Sequence, residues 1–545
     1  MKTLEKHPIL FLTIACIAIF FFHLDAIYIN IMEARNFITA REMIDDGNWL
    51  LTTLNGEPRY QKPPLPTWLT AASGMVFGLK SMFGLRLPAA LMSLLLVLTS
   101  YRLGKRLAGD SRYAFISALI LATSFYIIFS GRNGQWDIFT HAFMMVAIYQ
   151  IFRWFQTQDK QYVRALWAGL FLGLSFMSKG PVSMYALFLP FLIAFGVTFR
   201  FRSLRKNVLP LILFLITAVV ASGWWHWYVY TFDAEAVAEI TRREAANWTG
   251  YNVRPFYYYW SFFTQSGIWT LPAFIALLYP YLKDRVSDKR GYQFTLIWTL
   301  AAVVLLSVIP EKKSRYLLPV LIPMALNTGY YVEYLFRKFR NISHKGETLP
   351  VYFNFGLIAV IGLAFPIAGY MVLKEQLDGQ WVWFVLLSIS LVTIGILMIR
   401  HLRWKRIRPV FYLTIAFIMA IISFGMPMAS ALTVNPEYRP LSELQNWQAK
   451  TKLPVYELGG FTPELIWDYG KPIPVLTQDG VTRLPKETSF GLLVAEENIP
   501  VLEQQFPKET YSVAKVIRYD MNPVGPEHRN HKPRLYRDLY LITKR

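Results

Sequence analysis

The chain has 545 residues, of which 54% are hydrophobic and 17% charged, and its mean hydropathy is +0.32. A soluble fold would expose too much apolar surface with this composition, so we predict a membrane protein. A net charge of +21 would suit a nucleic-acid partner in a soluble protein, but the sequence contains no nucleic-acid motif. The single cysteine, Cys16, excludes an intramolecular disulfide.

Apolar segments recur along the first four fifths of the chain. A helix needs about 20 mostly apolar residues to cross a bilayer, and on this basis we predict a polytopic α-helical membrane protein with about thirteen transmembrane helices, the first of which is retained. The predicted segments are 9–28, 85–103, 113–131, 137–155, 163–178, 180–198, 208–230, 264–282, 293–310, 316–336, 351–373, 381–399 and 409–430.

The basic residues predict the orientation of these helices. With a cytoplasmic N-terminus, nearly all of the excess positive charge falls in inner loops, as the positive-inside rule requires. The charge is therefore a topology signal, and we expect no nucleic-acid partner. The inner basic clusters lie at 105–112, 200–206, 283–290, 337–345 and 400–408.

The sequence predicts two parts outside the membrane. An odd number of spans places residues 431–545 on the outer side, where short apolar runs alternate with helix-like pieces, and we predict a small soluble α/β domain there. Residues 1–430 form the transmembrane domain. Its first outer loop, 29–84, has helical spacing at 31–44 and 65–83, which predicts helices along the membrane surface.

Ionisable side chains gather at the outer ends of the predicted spans, where such groups are costly unless they serve a site. Purely structural interpretations remain open for these residues. They are a solvated helix face for Glu33 and Arg35, a helix-terminus partner for Asp137, a snorkelling side chain for Lys179, and headgroup contacts for the cations at 312–315. The candidates are Glu33, Arg35, Arg59, Tyr60, Lys62, Arg132, Asp137, Lys179, Lys312, Lys313, Arg315 and Tyr316.

Carboxylates and cations on one face suit the transfer of a group from a lipid phosphate. The cations would stabilise the departing phosphate, and a carboxylate would deprotonate an acceptor hydroxyl. Phosphate is a good leaving group, so we expect no general acid and no histidine at the site. No His or Cys cluster has the spacing of metal ligands, so we expect neither a metal nor a cofactor.

The first outer loop, residues 30–68, resembles that of the lipid A aminoarabinose transferases and the polyprenyl-phosphate-dependent protein mannosyltransferases. The resemblance continues through 132–137, 179–180 and 314–319, and covers about the first 330 residues. Two positions depart from the family pattern: Met32 stands where the family has Asp, and Gln61 where it has Glu. The matching elements of the loop are Glu33, Arg35, Arg41-Glu42-Met43, Asn55-Gly56 and Lys62-Pro63-Pro64-Leu65.

The resemblance implies a GT-C-like glycosyltransferase of the bacterial inner membrane with a periplasmic C-terminal domain. It would move a sugar from a polyprenyl phosphate donor to a lipid A, glycolipid, glycan or protein acceptor, with inversion. Glu33 and Asp137 would be the catalytic carboxylates, with Glu33 favoured as base. By resemblance and charge the donor phosphate would bind Arg35, Lys62, Lys179, Arg315 and Tyr316, with Arg59, Tyr60, Arg132, Lys312 and Lys313 as further candidates.

A different class of protein also fits the outer cations: a transporter or flippase for a lipid-linked anionic substrate. Such a protein should show pseudo-symmetric halves and ionisable residues within several spans. The sequence shows neither, which favours the enzyme.

Overall fold

Helices dominate the computed structural model, which describes residues 5–157, 159–201, 208–250, 252–432, 435–478 and 481–545. Most of the predicted inner cluster 200–206 lies outside these residues. Within these ranges, seven helices are long and apolar enough to cross a membrane, and the pair Ser111–Ala122 and Phe125–Gly131, bent by 66°, would make an eighth. The seven are Met82–Ala108, Asp137–Gln156, Val208–Phe232, Lys289–Val308, Lys345–Gln376, Trp381–Arg403 and Ile407–Ala429.

Seven helices are fewer than the thirteen predicted segments because the other segments are short, broken or more polar. Apolar segment 9–28 contains only the short helix Pro8–Phe21, and 264–282 is interrupted at Gly267, whose φ of +67° breaks the helix. Gln161–Lys179 and Leu318–Lys338 have 19 and 21 residues, of which two and three are charged. The remaining helices include Ile31–Asp45, Leu65–Phe77, Leu189–Thr198 and Ala234–Gly250.

The chain divides into two compact units, and the division differs from the predicted one. The first unit comprises residues 1–26 and 60–428, and the second comprises 27–59 and 429–545. Part of the predicted first outer loop thus belongs with the C-terminal segment. The reason is local pairing within the second unit: Asn55 Nδ2 donates to the Ile473 carbonyl, and Ile473 N donates to Asn55 Oδ1, both at 2.8 Å.

A four-stranded sheet forms the centre of the second unit. Its spatial order is Val455–Leu458, Ser489–Val494, Tyr536–Lys544 and Tyr511–Asp520. The first pair is parallel, with Val455 opposite Gly491, and the other pairs are antiparallel. Short helices complete the unit: Leu444–Thr451, Pro463–Tyr469 and Ile499–Gln505.

Helix Ile31–Asp45 packs against Pro463–Tyr469 in the same unit. The rings of Phe37 and Trp467 meet edge to face at 5.5 Å, and Ile38 is fully buried in the apolar cluster of this unit. Buried apolar area of this kind is the main stabilising contribution to a small domain. The segment 27–59 is therefore a structural part of the second unit.

Candidate functional site

Asp137 and Lys179 form a buried ion pair in the first unit. Asp137 is the first residue of its helix and Lys179 the last residue of Gln161–Lys179, so the two helix ends bring them together. Lys179 Nζ donates to Asp137 Oδ1. Gly180 ends the lysine helix at φ +74°, a conformation that glycine adopts without strain. Within the part of the chain that the structure describes, Asp137 Oδ2 is buried and has no hydrogen-bond partner.

Three cations surround the ring of Tyr316. Lys179 Nζ and Lys313 Nζ each lie 5.7 Å from the ring centroid, and the Arg315 guanidinium carbon lies 5.8 Å from it. We call Asp137, Lys179, Lys313, Arg315 and Tyr316 the Tyr316 cluster. The sequence named all five residues, and the structure brings them together. Arg315 Nε is a second buried polar atom without a hydrogen-bond partner among the described residues.

Glu311 belongs to the same loop but was not among the predicted site residues. Its Oε1 accepts hydrogen bonds from Lys313 Nζ at 2.5 Å and from the Tyr316 hydroxyl at 3.1 Å. This carboxylate fixes the positions of the lysine and the tyrosine. The alternation of acidic and basic residues at 311–313 was the available signal.

The Lys312 side chain is bonded to backbone carbonyls and does not join the Tyr316 cluster. Its Nζ donates to the carbonyls of Arg254, at 3.0 Å, and Ile309, at 2.6 Å, and the side chain is buried. Burial lowers the pKa of Lys312. Since a buried ammonium needs such acceptors, Lys312 closes the loop onto the segment at 252–254. The structure thus gives this predicted anion-binding candidate a structural function.

Arg132 is also held by backbone carbonyls. Its guanidinium donates to Ile19 O at 2.7 Å and to His23 O at 2.9 Å, both in the first helical segment of the chain. Arg86 likewise donates to Leu24 O. Two arginines therefore anchor the end of this segment, and the contacts of Arg132 place it outside the Tyr316 cluster.

Tyr60 and Lys62 begin the long part of the first unit. The Tyr60 hydroxyl donates to Asp233 Oδ2 at 2.6 Å, and its ring lies 6.4 Å from that of Trp225. Burial, with the Asp233 carboxylate, raises the pKa of Tyr60. Lys62 is half-buried. Asp233, which follows the helix Val208–Phe232, is a carboxylate that the sequence analysis did not select.

Glu33, Arg35 and Arg59 lie in the second unit. Glu33 completes a capping box, since its Oε2 accepts from Asn30 N at 3.2 Å and from Asn30 Nδ2 at 2.7 Å. Arg59 is buried and donates to Arg35 O at 2.8 Å and to Thr39 Oγ1 at 2.7 Å. Burial, with the nearby charge of Arg35, lowers the pKa of Arg59 to about 9.

A histidine accompanies the buried ion pair, contrary to the expectation of none. His141 lies one helical turn after Asp137, is fully buried, and has its Nδ1 3.0 Å from Ser183 Oγ. Thr140 and Ser175 add reciprocal bonds: Thr140 Oγ1 donates to Ser175 O at 2.9 Å, and Ser175 Oγ donates to Thr140 O at 2.7 Å. These bonds join the aspartate helix to the chain on both sides of Lys179. The four-residue spacing was the signal that could have found His141.

In the described part of the chain, no three His, Cys, Asp or Glu side chains group closely enough to hold a metal ion. The side chains of the Tyr316 cluster are a carboxylate, three cations and a phenol.

Residues 61–227 match the family of dolichyl-phosphate-mannose-protein mannosyltransferases. An undecaprenyl phosphate-alpha-4-amino-4-deoxy-L-arabinose arabinosyl transferase 2 of Pseudomonas fluorescens strain Pf-5 is 29% identical over 54% of this chain and 51% of the relative. An uncharacterized protein of Aquifex aeolicus is 28% identical over 56% of this chain and 60% of the relative. The chain thus spans about half to three fifths of the length of these relatives.

A solved structure shares the fold along nearly the whole chain. ArnT from Cupriavidus metallidurans, crystallised with undecaprenyl phosphate, covers 98% of this chain, and 97% of ArnT is covered, with a TM-score of 0.69 and 16% identity. This likeness concerns the fold. With the match at residues 61–227, it confirms the predicted resemblance: the chain is similar to the aminoarabinose transferases and protein mannosyltransferases and has the GT-C fold that ArnT has.

Proposed function

We propose that this protein is a membrane glycosyltransferase that moves a sugar from a polyprenyl phosphate carrier to a lipid A, glycolipid, glycan or protein acceptor. The observation that carries the proposal is the Tyr316 cluster, in which a buried carboxylate with one unpartnered oxygen lies beside cations. The activities for which the similar transferase and the matching family are named support the same reaction class.

The cations of the cluster bind the phosphate of the sugar donor. Lys179, Lys313 and Arg315 lie around one aromatic ring, so a phosphate at this ring would meet several positive charges. Fixed cations stabilise the charge that develops on a departing phosphate. Arg315 Nε supplies a further donor for a phosphate oxygen. By resemblance, Lys62 of the same unit joins them in donor binding.

The acceptor side needs a base, and two carboxylates are proposed. Asp137 has one oxygen on Lys179 and one without a partner among the described residues, so it has an acceptor position for the proton of a hydroxyl. Glu33 has its Oε2 engaged in the capping box. Because a buried oxygen without a partner is shown for Asp137, we assign the base to Asp137 rather than to Glu33, which the sequence favoured. Direct displacement would invert the anomeric centre.

The topology of this proposal follows the charge distribution. We propose that the shorter apolar helices complete a set of about thirteen spans with a cytoplasmic N-terminus. The 431–545 segment would then lie in the periplasm, and the reaction would take place at the outer face of the bacterial inner membrane. The basic inner loops support this orientation.

Mass spectrometry of lipid A, glycolipids and envelope glycoproteins tests the proposal. Cells that lack the gene would be compared with cells that express the wild type, Asp137→Asn or Asp284→Asn. Asp284 is an exposed carboxylate in an ion pair of the same unit, so its variant is the matched control. We expect one sugar mass that is restored by wild type and Asp284→Asn but not by Asp137→Asn.

One result would contradict the proposed enzymatic function, and another would contradict the proposed base. An unchanged set of glycans, with a lipid-linked precursor redistributed between leaflets, would favour the transporter. Full activity of Asp137→Asn would remove the proposed base.

A further inference from the structure

The second unit contains an open cavity of about 480 Å³ beside two paired strands of its sheet. The strand ends meet where Asp520 lies opposite Tyr536. This volume is within the roughly 300–1,000 Å³ that is common for small-molecule sites. Its lining is mainly polar, and the side chains that matter below are Arg518, Asp520, Glu527, Arg529, His531 and Tyr536.

One wall of the cavity is a loop fixed by buried polar groups. Asp520 Oδ2 accepts from Asn435 Nδ2 at 3.2 Å and lies 3.1 Å from His531 Nε2, while Oδ1 accepts from Asn522 N at 2.9 Å. Asn522 also accepts from Lys532 N at 2.7 Å, so it joins the two ends of the loop. Buried polar groups cost free energy unless they are bonded in this way. The loop is therefore held in one conformation.

The other wall is formed by the Tyr536 ring and the planar groups around it. The Arg518 guanidinium lies 4.9 Å from the Tyr536 ring centroid, and the His531 ring lies 5.7 Å from it. The Tyr536 hydroxyl donates to Glu496. Arg518 also donates to both oxygens of Asp538, at 2.7 and 3.0 Å. These contacts fix the orientation of the planar groups before any ligand binds.

The rim mixes hydrogen-bond donors with acceptors. Glu527 offers a carboxylate and Arg529 a guanidinium, both exposed. A phosphate only accepts hydrogen bonds and an ammonium only donates them, whereas a sugar hydroxyl does both. The lining has three carboxylates, Glu496, Asp520 and Glu527, against two guanidinium groups, so it has no excess of formal positive charge to attract an anion. The mixed lining therefore matches an uncharged polyol.

We propose that this cavity binds an uncharged saccharide ring of the acceptor. Saccharide binding rests on the cavity alone, and the statement that the saccharide belongs to the acceptor rests on the proposed function. Such a site would raise the affinity for the acceptor and leave the chemical step unchanged. Loss of the site should therefore raise the KM for the acceptor without lowering kcat.

Binding is tested on the full chain in lipid nanodiscs, without donor, by saturation-transfer NMR titration. The probes are chitobiose as an uncharged disaccharide and glucose 1-phosphate as an anionic sugar. We expect chitobiose to bind and the double variant Glu527→Gln, Arg529→Gln to weaken it about tenfold, since each substitution removes a charge-assisted hydrogen bond. Both residues are exposed, so the fold is retained. The control is Lys508→Gln, Glu509→Gln, at exposed positions of the same unit outside the cavity.

The outcomes separate this proposal from the proposed function. Chitobiose binding that is unchanged in the rim variant, or binding of glucose 1-phosphate alone, would overturn the saccharide site. If the wild type transfers sugar and the rim variant keeps its acceptor KM, the site is not an acceptor site. Binding without any transfer activity would instead support the cavity and contradict the proposed function.

Discussion

Asp137 in the first unit and Asp520 in the second are both buried aspartates, yet their hydrogen-bond environments differ. Asp520 has protein partners at both oxygens, provided by two asparagines and a histidine. Asp137 has Lys179 at one oxygen, and its other oxygen has no partner among the described residues. An unpartnered buried oxygen costs about 1–3 kcal/mol, which a purely structural residue would not need. The environment of Asp137 suits a reaction, and that of Asp520 suits a structural role.

Asp137→Asn should have the largest effect on catalysis. Removal of a general base lowers rates by about 10²–10⁴-fold, so we expect a loss of kcat of at least about 100-fold. Asparagine keeps an oxygen for Lys179, and the helical content should be unchanged. The measurement is sugar transfer from a radiolabelled donor, together with circular dichroism. Normal kcat would place Asp137 in the same class as Asp520.

Asp520→Asn should have the converse effect. The new amide places N–H groups against the donors of Asn435 or Asn522, and we expect a loss of about 1–3 kcal/mol in the local stability of the 521–535 loop. Hydrogen exchange of the full chain measures this loss, and kcat should stay within about twofold. A large fall in kcat with an intact loop would contradict the scaffold role.

Adjacent lysines give a smaller test of the Tyr316 cluster. Lys313→Met should weaken donor binding about tenfold, because one cation beside Tyr316 is lost. Lys312→Met should leave the donor Kd unchanged but lower the thermal stability, because two carbonyls lose their donor. Titration with undecaprenyl phosphate and a thermal melt of each variant provide the comparison. Equal effects of the two variants on the donor Kd would show that the Tyr316 cluster should not include Lys313 and exclude Lys312.

Acid should destabilise the scaffold by the smallest amount. Bonds from Arg518 and Lys515 hold the pKa of Asp538 below its usual value, and bonds from Asn522 and His531 do the same for Asp520. A lowered pKa in the folded state gives stability that is present above the unfolded value near 3.8 and is lost as the pH falls below it. Hydrogen exchange of strands Tyr511–Asp520 and Tyr536–Lys544 should rise below about pH 4, and Asp538→Asn should reduce that slope. An unchanged slope in this variant would contradict the assignment.

The sequence named the residues that form the Tyr316 cluster, but it did not separate the contacts of neighbouring residues. The positions of Asp137, Lys179 and Tyr316 followed from resemblance and from helix ends. Among consecutive cations, however, the sequence does not show which side chain faces the ring, because a loop has no fixed period. Lys312 was therefore grouped with Lys313, and His141 was missed because its spacing of four residues from Asp137 was not considered.

The division into units was also beyond sequence reasoning. Hydropathy marks candidate membrane spans within one segment of the chain, since each helix satisfies its own backbone. The pairing of Asn55 with Ile473 joins residues 418 positions apart, and no local pattern in either segment indicates it. Assignment of the whole 29–84 loop to the transmembrane part followed from chain order, which does not reveal such contacts.

The discontinuity of the second unit has a consequence for biosynthesis. At about 5–20 residues per second, the ribosome reaches Ile473 roughly 20–80 s after Asn55. During that interval helix Ile31–Asp45 has been translated but its partner Pro463–Tyr469 has not. The apolar side chains of Phe37 and Ile38 therefore lack the residues that bury them in the folded unit. Exchange of residues 429–545 between homologues would separate the same partners. The early segment and the late segment therefore have to be inherited, and to fold, as one module.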